Sequence, residues 1–454
     1  MVDAADIEVS RELLEFIRRS PSMFHTVETL REMLDAEGFV CLPEGEAWDA
    51  GEHAVKPGGA YYAVRNNSSV VAFRVGEGVV SQRSGYHFQI AAAHSDSPTF
   101  KVKAVPELEG PGGYVRLNVE AYGGAIDSAW FDRPLGLAGR VLVRAYPGRI
   151  ESRLVHIERD VALIPNLCIH FDRGVNAGKP LNRQVDLCPL FSAGELAAGD
   201  FDKLVAEAAG CAPQDLLARD LFLVNHQAGR VWGAADEFVS SPKLDDLQCA
   251  FAAAKAFLAC DEGANPACVN VLAVFDNEEV GSNTKQGAMS TFLHDVLVRA
   301  SAALGKSRED YYCAVARSFL VSCDNAHAVH PNLPAKTDER NRAYLNRGIV
   351  IKEAANQKYT TDAFSRAVFK DICELIDVPT QSFANRSDTV GGSTLGNLSN
   401  TQVSVHAVDI GLPQLAMHSS YETAGTRDTA YAIRALKAFF ETDIRIEGAD
   451  AASW

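Results

Sequence analysis

The run Cys268 to Phe275 is apolar and β-branched over most of its length, and it passes without a linker into Asp276-Asn277-Glu278-Glu279 and a Gly281-Ser282 turn. A run this short and apolar predicts a strand buried on both faces, and such strands belong to sheets covered by helices. Helical patterns flank it, Leu244 to Cys260 before and Ala288 to Leu304 after. The same order recurs in Phe319 to Ser322, Asp362 to Ile376, Val403 to Val408 and Tyr421 to Phe440. The expected class is therefore α/β.

The front of the chain fits the same layout. Ile7 to Ile17 and Phe24 to Leu34 have apolar positions at helical spacing, the second with a cap expected around Ser20 or Ser22. Strand patterns follow at Tyr61 to Val64, Val70 to Val75 and His87 to Ala93. From about residue 97 the texture changes to strands and turns: Tyr114 to Val119, Gly139 to Tyr146 and Leu154 to Ile157, punctuated by Pro106, Gly123-Gly124 and Pro147-Gly148. The expected organisation is an α/β domain split in sequence, residues 1–95 and 236–454, with a central mixed sheet flanked by helices and a β-rich insert at 96–235.

Charge narrows the partners. Lys plus Arg number 43 against 59 Asp plus Glu, a formal charge of −16, and nucleic acid or an anionic membrane needs the opposite field. No apolar stretch is long enough to span a bilayer, and the opening residues through Arg19 lack the order of a signal peptide, so a cytoplasmic location is expected. Ten scattered cysteines contain no CxxC pair, which predicts buried, reduced thiols.

The chemistry gathers at element ends. Crowded carboxylates after Phe275 are costly unless a cation compensates them. Asp245 and Asp246 stand where a helix begins, Asp324 follows the strand Phe319 to Ser322, His418 follows Gln414 to Met417, and His94 ends the strand from His87. Each has an ordinary alternative as a helix cap or a solvated loop; together they outline a metal cluster. Two Zn²⁺ facing three carboxylates stay positive enough to acidify a water, and neutral imidazoles complete a shell that suits zinc. Hydrolysis is the expected reaction.

The strings His94-Ser95-Asp96-Ser97-Pro98, Ser241-Pro242-Lys243-Leu244-Asp245, Asp276 to Ser282, Ser322 to Asn332 and Met417-His418-Ser419 resemble, in order, the motifs of the aspartyl aminopeptidase family of dinuclear zinc exopeptidases. The likeness extends over nearly the whole chain, and members are similar in having a catalytic domain interrupted by a β-rich dimerisation domain. It implies that Asp245 bridges two Zn²⁺, with Mn²⁺ or Co²⁺ as possible substitutes. His94 and Asp324 would complete one ion, Glu279 and His418 the other. Asp96 would orient the His94 ring from behind, and Glu278 would be the general base. Members commonly carry an amide after the bridging aspartate; here Asp246 either competes for ligation or turns toward solvent. His327 and His330, three residues apart, could share a helical face; the resemblance gives them no ligand role.

The same likeness implies a substrate pocket in which Lys352 and Tyr359 recognise an amino-terminal Asp or Glu of a short peptide. It gives His170, in the insert, a reach into a neighbouring subunit's site to stabilise the oxyanion. Dimers assembling into a tetrahedral dodecamer are expected. The Gly391-Gly392-Ser393-Thr394 stretch matches a family turn near the substrate, and it lacks the lysine of a phosphate loop. Neutral or broad specificity, or a metal-dependent amidase or deacylase, is the alternative activity.

Overall fold

The computed structural model describes residues 2–79, 85–261 and 263–454. Nine strands form the main sheet, in the order Val40–Cys41, Ala60–Arg65, Ser69–Val75, Cys268–Phe275, His87–His94, Phe319–Cys323, His406–Gly411, Ile349–Glu353, Thr380–Ala384. Cys268–Phe275, His87–His94, Phe319–Cys323 and His406–Gly411 run parallel, with Phe275 beside His94. Their carboxyl ends share one edge, where open α/β sheets place their sites.

Burial explains the sequence pattern. Every residue of His87–His94 and of Cys268–Phe275 is buried. One face packs on the helix Leu244–Ala259, itself apolar on nearly all sides, and on Asp428–Glu441; the other packs on Phe292–Ala303 and Arg308–Ala316. Helices Ala4–Arg19 and Met23–Ala36 open the chain, the second beginning after Ser22.

Strands between Thr99 and Asn225 close into a barrel with its own apolar core, built around Phe100, Leu117, Trp130, Leu137 and Phe201. A separate five-stranded sheet joins Arg230–Trp232, Phe238–Ser241, Glu422–Gly425, Pro413–Leu415 and Ala326–His327. It lies where the chain leaves the barrel and delivers Asp245.

Three expectations need correction. The helical pattern Tyr421 to Phe440 splits into the strand Glu422–Gly425 and the helix Asp428–Glu441. A Cβ at Gly425 would collide with Asp428 and with the Asn346 backbone, so a bend with no side chain separates the two. The strand expected at Val403 lies three residues later, at His406–Gly411, because Asn400 Oδ1 accepts from the Val405 N–H and holds the preceding turn. His327 ends a short strand and His330 lies beyond it, so they share no helical face. The helix Arg308–Ala316 escaped the sequence reading although Ser307 and Asp310 form its capping box.

Candidate metal centre

His94 is the last residue of its strand and Asp324 follows the end of another, so parallel register alone brings them together. Asp245 arrives from the smaller sheet through Lys243, which has left-handed φ of 59°. Asp245 and Asp246 depart from helical geometry before the regular helix begins, and the peptide between them is cis. His418, also left-handed at φ 66°, sits in the connection between Pro413–Leu415 and Glu422–Gly425. Non-glycine residues in this conformation are strained and gather at functional sites.

Asp245 stands at the middle. His94 Nε2 lies 3.3 Å from its Oδ1 and His418 Nε2 lies 3.4 Å from its Oδ2, so each carboxylate oxygen faces a different imidazole. Glu279 Oε2 is 3.3 Å from His418 Nε2. Three overlapping groups result, each with ligand atoms within 4.8 Å: His94, Asp245, Asp246 and Asp324; His94, Glu278 and Glu279; Asp245, Glu279 and His418. Burial opposes charge on Asp245, but the pull of the His418 and His94 rings beside its two oxygens outweighs it and holds its carboxyl below the usual range. Burial and the neighbouring Asp245 charge drive Glu279 far upward. Glu278 is pushed up to about 8, by burial first and by Asp324, Asp96 and Asp245 against the pull of His94.

The donor set fits a divalent cation. Among the described residues, Asp245 Oδ1 and Glu279 Oε1 are buried without a hydrogen-bond partner. Leaving buried carboxylate oxygens unsatisfied costs on the order of 1–3 kcal/mol each, more for a charged group, and a metal removes that cost.

Adjacent glutamates on extended chain would point apart. Here Asn277 is left-handed at φ 63° and opens a short 3₁₀ turn over Glu278–Val280, closed by Gly281 at φ 97°, which lets both enter the site. Asp96 supports this turn: its Oδ1 accepts from Glu278 N–H and its Oδ2 from Glu279 N–H, both at 3.1 Å. His94 Nδ1 is 3.0 Å from the Asp96 carbonyl and 3.4 Å from its Oδ1. Asp96 thus sets the His94 ring and the two glutamates together.

The alternative of Asp246 turned toward solvent is overturned. It is fully buried, with Oδ2 accepting from His94 N–H and Oδ1 from Asn325 N–H, both at 3.2 Å. Its carboxylate ties the strand ends that carry two arms of the cluster.

Further supports carried no sequence signal. Glu422, buried, accepts the Asp245 N–H on Oε2 at 3.0 Å and the His418 N–H on Oε1 at 2.6 Å. The barrel adds Tyr122, whose hydroxyl donates to Asp96 Oδ2 at 2.8 Å, and the Gly124 carbonyl, 3.0 Å from His418 Nδ1. Both supports come from distant chain brought close by folding.

Lys352 is buried and donates to the main-chain carbonyls of Asp324 and Asn325, at 2.7 and 3.3 Å. Its ammonium is 5.4 Å from the centre of the Tyr359 ring. The structure thus joins Lys352 and Tyr359 to the Asp324 side of the cluster. His170 is not brought there: it is exposed on the barrel between Ile169 and Phe171, themselves exposed, and no hydrogen bond or ion pair joins it to the cluster among the described residues.

Two imidazoles and a ring of buried carboxylates at the carboxyl edge of a mixed α/β sheet define a metal-dependent hydrolase. The family model for aminopeptidase I zinc metalloproteases (M18) matches residues 16–440, and the chain belongs to that family. It is a metallo-aminopeptidase. A probable M18 family aminopeptidase 2 of Clostridium novyi is 43% identical over 444 residues, covering 96% of this chain and 99% of the relative. Aspartyl aminopeptidase 1 of Schizosaccharomyces pombe is 37% identical over 458 residues, covering 96% and 95%. The solved structure of the S. cerevisiae mApe1 dodecamer superposes with a TM-score of 0.83 at 26% identity, covering 96% of each chain. No helix among the described residues is long and apolar enough to cross a membrane.

Proposed function

We propose that the protein removes amino-terminal Asp or Glu from short peptides at a centre of two Zn²⁺, with Asp245 bridging, His94 and Asp324 on one ion, and Glu279 and His418 on the other. The observation that carries this reading is the Asp245 carboxylate set between two imidazoles, one at each oxygen. Zinc supplies Lewis acidity, which acidifies water and polarises the scissile carbonyl. Glu278 takes the proton of the attacking water and passes it to the departing amine. Asp96 keeps Glu278 aimed through its main-chain N–H.

Lys352 and Tyr359 provide the acidic subsite, with the part of the ammonium not used by the Asp324 and Asn325 carbonyls facing the substrate carboxylate. The S. pombe relative, named for aspartyl substrates, supports this preference. A second reading has support of its own: both hydrogen bonds of Lys352 go to main-chain carbonyls, as suits a brace for Asp324 in an enzyme of broad specificity.

The barrel, residues 96–235, acts as the dimerisation domain in a homo-oligomer, a tetrahedral dodecamer built from dimers. The dodecameric mApe1 structure supports assembly, and the exposed Leu167, Ile169 and Phe171 around His170 support burial of that loop against a neighbour. His170 would there reach the neighbour's oxyanion. A cytoplasmic location agrees with ten free thiols. Hydrolysis of unblocked and amine-blocked Asp, Glu, Leu and Lys anilides by the Zn²⁺-loaded enzyme tests the reading. Rapid turnover of unblocked acidic substrates alone supports it, equal turnover of neutral ones selects the broad alternative, and turnover of blocked substrates selects an amidase.

A further inference from the structure

We infer that His156 and His226 form a second, separate binding site for a divalent transition-metal ion such as Zn²⁺, at the seam between the barrel and the α/β domain. The inference does not rest on the proposed peptidase chemistry. His156 lies on the barrel strand Arg149–Leu163, and His226 follows the strand Leu216–Asn225. The strand Pro134–Tyr146 runs between them, with Ala138 beside His156 and Gly136 beside Val224. Gly136 and Ala138 share a face by strand alternation, so two small residues clear a path across the intervening strand. A Cβ at Gly136 would collide with the His226 ring.

The two Nε2 atoms meet 3.2 Å apart. Tetrahedral zinc with Zn–N bonds of 2.0–2.1 Å holds two nitrogens about 3.3 Å apart. Neighbouring donor atoms in the metal centre of this chain show the same spacing, 3.3 to 3.4 Å. The far sides of the rings match as well. His226 Nδ1 is 3.1 Å from Asp160 Oδ1, the arrangement that places the proton on Nδ1 and turns the Nε2 lone pair inward. His156 Nδ1 has Glu158 Oε1 3.9 Å away, on an exposed side chain free to approach.

The pair opens on a cavity of about 220 Å³, also lined by Arg18, Asn225, Gln227 and Lys243, which has room for water to complete the coordination. Of the nearby cations, Arg18 pairs with Glu15, and Lys243 Nζ donates to the Ser20 carbonyl. An ion here would clamp two barrel strands beside Pro242 and Lys243, the residues that lead to Asp245.

An ordinary N–H···N hydrogen bond between neutral imidazoles has the same separation, and metal counting distinguishes the two. The full-length enzyme and its His156→Gln and His226→Gln variants would be equilibrated with excess Zn²⁺ and their bound metal measured by atomic emission. The two histidine variants should each hold one ion per subunit fewer than the parent, with melting curves showing that they fold. Equal metal content overturns the site. As a second measurement, Cu²⁺ added to the Zn²⁺-loaded parent should give a paramagnetic resonance spectrum split by two imidazole nitrogens and lost in His226→Gln. A spectrum without that splitting means a hydrogen bond only and overturns it too.

Discussion

Two groups of buried carboxylates, both near the carboxyl edge of the main sheet, differ in how their charge is met. In the cluster around Asp245, buried oxygens of Asp245 and Glu279 have no hydrogen-bond partner among the described residues. At Asp428 and Asp409, equally buried, the oxygens are supplied with donors. Asp428 accepts from the N–H groups of Asn346 and Gly348, at 2.7 and 3.1 Å. Asp409 accepts from Thr360 N–H and from the hydroxyls of Thr360 and Thr394. Burial of an acid therefore does not by itself mark a metal site; here the cluster differs in joining unmet carboxylate oxygens to two imidazoles within ligand distance of one another.

The contrast can be tested at both ends. The largest expected effect belongs to Glu278→Gln, which should keep its metal and lose roughly 10²–10⁴-fold in kcat; unchanged turnover with full metal occupancy would remove Glu278 from the proton transfer. Glu422→Gln comes next. It disturbs the acceptor for the Asp245 and His418 amides and should weaken metal affinity by about 10–100-fold, read by competition with a chelator. Affinity equal to the parent would make Glu422 a packing residue.

Lys352 lies between the groups, near both Asp324 and Asp409. Its change to Ala should raise KM for aspartyl substrates about tenfold more than for leucyl ones, the scale of one charge-assisted hydrogen bond. Equal increases would assign the ammonium to the Asp324 turn alone.

The smallest effect is expected at Asp428. Burial raises its carboxyl to about 8, against the lowering influence of the Asn346 and Gly348 amides. With the folded value above the unfolded one of about 3.9, its contribution to stability is complete below pH 4 and is lost as pH rises toward 8. Urea unfolding should therefore show Asp428→Asn gaining relative to the parent from pH 5 to pH 7.5, with unchanged metal content. A constant difference would mean that Asp428 does not titrate in this range.

Sequence patterning revealed the buried strands because His87–His94 and Cys268–Phe275 lie between helical layers, where local composition and burial agree. His94, Asp245, Glu279, Asp324 and His418 were visible as candidates because each stands at or near the end of a patterned element. Their convergence was not visible, since it depends on parallel register and on left-handed turns at Lys243, Asn277 and His418, none of them glycine. Glu422 and Tyr122 gave no warning either. Glu422 was absorbed into a helical pattern that the bend at Gly425 breaks, and Tyr122 belongs to a barrel strand whose neighbours suggest only packing.

The Tyr122 hydroxyl and the Gly124 carbonyl reach Asp96 and His418 from the far side of the domain boundary. An excised α/β half, its ends rejoined by a short peptide, would retain every proposed ligand and yet lose the Gly124 carbonyl that faces His418 Nδ1. Miniaturising this enzyme by deleting the barrel would thus strip two of the contacts that hold its metal cluster in register.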